Sequence, residues 1–121
     1  MDWATCRTID RAALGRLGEE SAVRFLEDRG HPIIGRNLVL DPGEIDILTS
    51  ICGERTLVEV RSTRSRSDAT WPSADPLLAF GFQKAQQVRR VARFSRCPRV
   101  DLITVRFHPG GTDLHWVPRA A

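Results

Sequence analysis

The stretch "PGEIDILTSICGERTLVEVRS", Pro42 to Ser62, decides the fold. Its apolar residues alternate as strands require, and Cys52-Gly53 marks a two-residue turn. Burying Ile45 and Ile47 with Val58 and Val60 sets the hairpin register: Ile45 opposite Val60 and Ile47 opposite Val58. Asp46 then falls opposite Glu59, and Glu44 opposite Arg61. Opposed residues have Cβ atoms roughly 4.5–5.5 Å apart, so two carboxylates there repel unless positive charge sits between them. Arg61 supplies part of that charge. A divalent cation supplies more, because two carboxylates with waters and a phosphate are what Mg²⁺ or Mn²⁺ prefers. A solvated sheet face is the competing reading and suits Glu44 and Glu54, which lie at or near turns. It suits the Asp46/Glu59 pair less, because Leu48 and Leu57 share that face.

Working outward, Leu14, Leu17, Gly18, Ala22, Phe25 and Leu26 form a helical stripe, with Thr8 or Asp10 as cap and Gly30 as terminator. Glu19 lies at the stripe's edge, able to lean toward whatever the helix packs on. Pro32–Leu40 precedes the hairpin as a strand, ending at the turn signal Asp41-Pro42-Gly43. The short connections predict a three-strand antiparallel meander. Residues 63–75 are polar and read as a mobile loop carrying Arg64, Arg66 and Trp71. A second helix is predicted from Asp75-Pro76 to about Ser95, and Val100–Phe107 is a fourth strand. "LHWV" reads as a short edge strand. The fold class is α/β: a mixed sheet flanked by helices, in the order αβββαβ.

The chain has 121 residues, 41% hydrophobic and 27% charged, which suits one soluble domain spanning 1–121. Residues 1–9 are expected to be a flexible N-terminus. No apolar run reaches the length of a membrane span and no signal peptide is evident, so a cytoplasmic protein is expected. Cys6, Cys52 and Cys97 are far apart and form no zinc motif. His31, His108 and His115 are equally scattered. The net charge is +3. From Lys84 to Arg99 the chain carries Lys84, Arg89, Arg90, Arg93, Arg96 and Arg99 with no acidic residue, either a phosphate-neutralising surface or a solvated helix face. Lys84 is the chain's single lysine.

Asp46 followed by Glu59-Val60-Arg61 resembles the acidic residue and Glu-x-Lys signature of the PD-(D/E)xK nucleases. The longer strings "GRLGEESAVRFLEDRGHPIIGRN", "GEIDIL", "LVEVRS", "QKAQQVRRVARF" and "RVDLITV" together resemble the YraN-like family of uncharacterised bacterial proteins. That resemblance implies a restriction-endonuclease-like fold, kinship with archaeal Holliday junction resolvases, and a predicted endonuclease acting on DNA, in branched or flapped form. It implies Asp46 and Glu59 as ligands of Mg²⁺ or Mn²⁺, with the Val60 carbonyl and Glu19 completing the site. Lys84 is implied near the scissile phosphate, and Arg99 and Asp101 match an Arg-x-Asp string of the family. Arg64 and Arg66, with Arg89, Arg90 and Arg93, would hold the nucleic-acid backbone. Resolvase-like proteins often act as homodimers, and nothing in the sequence marks a dimer face.

Arg61 departs from the pattern, which has lysine there. Arginine cannot act as a base, since its pKa stays above about 12, but it still stabilises charge. Two readings follow: a slower nuclease, or a nucleic-acid-binding module without catalysis. A third is a protein-interaction domain of a DNA-processing complex.

Overall fold

The computed structural model describes residues 3–66 and 81–121. Its elements are α1 (Trp3–Cys6), α2 (Arg11–Asp28), β1 (Ile33–Leu40), β2 (Gly43–Ile51), β3 (Glu54–Arg64), α3 (Phe82–Phe94), β4 (Arg99–His108) and β5 (Gly111–Val117). The five strands form one sheet in chain order. β1, β2 and β3 are an antiparallel meander, β4 lies parallel to β3, and β5 returns antiparallel to β4. This is the mixed sheet in αβββαβ order that the sequence implied, with β5 added at the edge.

Local chemistry explains the element ends. The Asp10 carboxylate accepts from the Ala13 N–H at 2.8 Å and caps α2. Gly30, at φ 80°, closes the helix by donating its N–H to the Glu27 carbonyl. Cys52 and Gly53 both have positive φ (53° and 79°), as a type I′ hairpin turn requires.

The sheet divides two apolar clusters. Leu14, Ala22, Val23 and Leu26 of α2 pack on Ile47, Val58, Ile103 and Val105. Val88, Val91 and Ala92 of α3 pack on Ile45, Leu48, Leu57 and Leu102. Helix α2 approaches β3 so closely at Gly18 that a Cβ there would fall 1.8 Å from the Ser62 Oγ.

Several sequence expectations require correction. Ile45 and Ile47 do not share a face; Ile45 packs on the α3 side and Ile47 on the α2 side. The alternation breaks at Asp46, which stands across from Asn37 between the pairs Arg36↔Ile47 and Leu38↔Ile45. Asn37 has φ 50°, a left-handed conformation rare inside a strand. The pairing of β2 with β3 runs only from Ile51↔Glu54 to Ile47↔Val58, while β2 stays paired with β1 as far as Leu40↔Gly43. Glu44 faces Val39, not Arg61.

The N-terminal expectation fails where the structure describes it. Trp3–Cys6 is helical and Cys6, 2% exposed, lies in the α2-side core. The loop expected from residue 63 begins later, because Thr63 and Arg64 continue β3 in register with Arg106 and Phe107. Trp71, Leu78 and the helix start at Asp75-Pro76 lie outside the described residues. Within them, α3 starts at Phe82 with Gly81 as its N-cap. Finally, the run from Lys84 to Arg99 is not one solvated face. Arg99 is 7% exposed and buried in β4, and Lys84 turns inward.

Candidate metal centre and nucleic-acid interface

Where β2 leaves β3, the wedge between the strands is filled by carboxylates. The Asp46 Oδ2 accepts the Val60 N–H at 2.9 Å, replacing a ladder bond by a side-chain one. The Glu59 side chain comes from β3 beside it and is 6% exposed. Lys84, from the first turn of α3, places its Nζ 3.0 Å from the Glu59 Oε1. Glu19 reaches toward the pair from the middle of α2, half-buried.

The electrostatics follow from this crowding. Burial and the neighbouring Glu59 charge push Asp46 up from 3.8 to about 7. The Val60 N–H and the Lys84 ammonium oppose that rise, while a hydrogen bond to Glu59 favours the protonated form. Asp46 thus gives up its proton only near neutral pH. Glu19 is also raised, first by burial and then by Asp46 and Glu44, with a hydrogen bond from Asn37 and the charge of Arg36 opposing. Arg36 itself is tied to Glu20 at 2.6 Å.

A cleft of about 700 Å³ opens beside these groups, between Arg11 and Glu19 of α2 and the stretch of β3 from Glu59 to Arg64. Arg61 lines it, and its buried Nε has no hydrogen-bond partner among the described residues. Among those residues no group of three or more His, Cys, Asp or Glu side chains closes into a metal cage. The protein offers one close carboxylate pair with a third carboxylate near, which matches an ion that keeps waters and substrate oxygens in its shell.

The remaining candidates separate by role. Arg64 donates to the Cys6 and Ile9 carbonyls at 2.8 and 2.6 Å, so its guanidinium clasps the α1–α2 connection. Arg66 is exposed and lines a hollow with Trp3 and Arg7. Arg89, Arg90 and Arg93 are exposed on α3. Arg99 and Asp101 are structural: the guanidinium donates to both oxygens of the buried carboxylate at 2.9 and 3.1 Å. The same carboxylate accepts from the Trp116 Nε1 at 2.8 Å and the Arg119 N–H at 3.0 Å. Asn37 and Ser62 are not singled out by the sequence, and Gly18 is read there only as part of the α2 stripe. The available signal for Asn37 was a residue tolerant of left-handed φ inside an otherwise apolar strand.

The site and the sheet define an α/β protein with buried and half-buried carboxylates at a strand fork, beside a basic helix. Residues 18–105 match the profile described as "Uncharacterised protein family UPF0102". The chain belongs to that family. A "UPF0102 protein" of Nocardia farcinica is 34% identical, over 86% of this chain and 84% of the relative. Those of Syntrophotalea carbinolica and Dictyoglomus turgidum are 32% and 29% identical, each covering 94% of the relative and 93% and 89% of this chain. A solved structure described as "Crystal structure of SSO0001" overlays with a TM-score of 0.47 at 15% identity, over 89% of this chain and 52% of that one.

Proposed function

We propose that the protein is a metal-dependent endonuclease that hydrolyses phosphodiester bonds in DNA, in branched or flapped form. The observation that carries this reading is the Asp46/Glu59 pair: Glu59 is buried and Asp46 half-buried beside it, and desolvation followed by the Glu59 charge pushes Asp46 up to about 7. Asp46 and Glu59 would hold Mg²⁺ or Mn²⁺. Val60, whose carbonyl leaves β3 on the side of the N–H that Asp46 takes, and Glu19 support the site. When bound, the ion lowers the pKa of a water and polarises the phosphate.

This chain's residues do the rest. Arg61, with an unpartnered Nε at the cleft, donates to the phosphate and stabilises the charge that develops on it. Lys84 adds the one ammonium within reach of the pair. Arg11 lines the cleft, Arg66 a separate hollow with Trp3 and Arg7, and Arg89, Arg90 and Arg93 are exposed on α3; in this reading they hold the backbone without reading sequence. Homodimerisation on a branched substrate belongs to the same reading.

Cleavage of a labelled four-way junction, a flap and a linear duplex in Mn²⁺ tests it, with Asp46→Ala alongside. Metal-dependent products absent from the variant support the assignment. Equal cutting by the variant overturns it. Arg61 favours one alternative, a nucleic-acid-binding module that no longer cuts. That reading gains if the junction is retarded but uncut, and if Arg61→Lys restores cleavage.

A further inference from the structure

Helix α3 carries a second feature, at its far end. Phe94 is 58% exposed, unusual for a phenylalanine in the last turn of a packed helix. It faces a shallow groove of about 680 Å³ whose other walls are Asp41, Pro42, Arg90 and Arg93. The groove is preformed. The Gln87 Nε2 donates to the Pro42 carbonyl, and a Cβ on Gly43 would fall 2.9 Å from the Val91 Cγ2, so the β1–β2 turn is seated directly on α3. Pro42 is thereby fixed opposite Phe94. Arg90 makes one long contact to Gln87 at 3.5 Å, and neither Arg90 nor Arg93 has an acidic partner among the described residues.

A paired duplex has no use for this arrangement, because its bases are stacked inside and arginines alone suffice for its phosphates. An unpaired nucleotide uses all of it. Its base has two apolar faces for Phe94 and Pro42, its phosphates match Arg90 and Arg93, and its exocyclic amino group matches the Asp41 carboxylate. From Lys84, at the carboxylate site, to Phe94 the helix rises about 15 Å, a separation that a few nucleotides span.

We infer that the groove formed by Pro42, Phe94, Arg90 and Arg93 is a stacking subsite for one unpaired base, so that the substrate carries a single-stranded arm running along α3. This rests on the nucleic-acid reading of the site and narrows its substrate to DNA with both paired and unpaired segments.

Fluorescence anisotropy on a blunt duplex and on the same duplex with a single-stranded flap tests it, using wild type, Phe94→Ala and Phe94→Trp. Wild type is expected to prefer the flap. Phe94→Ala is expected to lose about tenfold in affinity for the flap and nothing for the blunt duplex, as stacking on one aromatic ring predicts. Phe94→Trp is expected to keep the preference. Equal wild-type affinity for both substrates, or an equal loss on both in Phe94→Ala, overturns the subsite and leaves the nuclease reading standing. No binding of either substrate by wild type overturns both.

Discussion

Asp46 answers to two demands: it must complete the fork where β2 leaves β3, and it must sit against Glu59. The first stabilises the fold and the second opposes it, which gives a pH signature. Its pKa in the folded protein is raised from 3.8 to about 7, so between those values the folded state binds more protons than the unfolded one. Stability in the absence of divalent ions therefore falls as pH rises through that window. Asp46→Asn keeps an acceptor for the Val60 N–H and removes the charge. Thermal melting should show the variant above wild type at pH 8 and the gap closing toward pH 4, with cleavage lost throughout. Equal pH dependence in the two proteins would contradict the pairing. The carboxylates were legible in the sequence because a charge inside an apolar alternation is conspicuous. Asn37 was not, because a polar residue in a strand reads as simply facing water, and its backbone angle leaves no trace in the pattern.

At the scale of elements, the fork itself was misread. A two-residue turn does fix the register, and Ile47↔Val58 follows from it. What alternation alone could not supply is the seating of the β1–β2 turn on α3, which accompanies β2's departure from β3 beyond Ile47. The basic run was misread for a related reason: counting charges says nothing of which way they point. Arg99 points inward to Asp101, and that carboxylate ties β4 to Trp116 of β5 and to the Arg119 backbone. Asp101→Ala leaves a buried guanidinium and two N–H donors uncompensated, so it should destabilise the protein by about 3–5 kcal/mol. A denaturant midpoint measures this, and a loss near zero would show the network to be dispensable. Gly18→Ala places a methyl on the Ser62 Oγ and should cost about 1–3 kcal/mol by the same assay.

For the whole molecule, the order of elements was readable from connection lengths. Short links made the meander antiparallel, and the long one returned the chain parallel to β3. No helix among the described residues is long and apolar enough to cross a membrane. The net charge of +3 conceals a division of labour, with Lys84, Arg64 and Arg99 engaged internally and Arg89, Arg90 and Arg93 exposed on α3. Binding to DNA should therefore be salt-sensitive. Neutralising Arg89, Arg90 and Arg93 should lower the slope of log affinity against log salt by about one for each phosphate contact removed, whereas neutralising Arg64 should act through stability. The nuclease reading depends on the Asp46/Glu59 pair being a cation site. Titration of the purified protein with Mn²⁺ at pH 7.5, followed by calorimetry, tests that most directly, with Asp46→Asn and Glu59→Gln as controls. The account predicts binding in wild type that is lost in both variants. No binding, or binding that survives both substitutions, would contradict it.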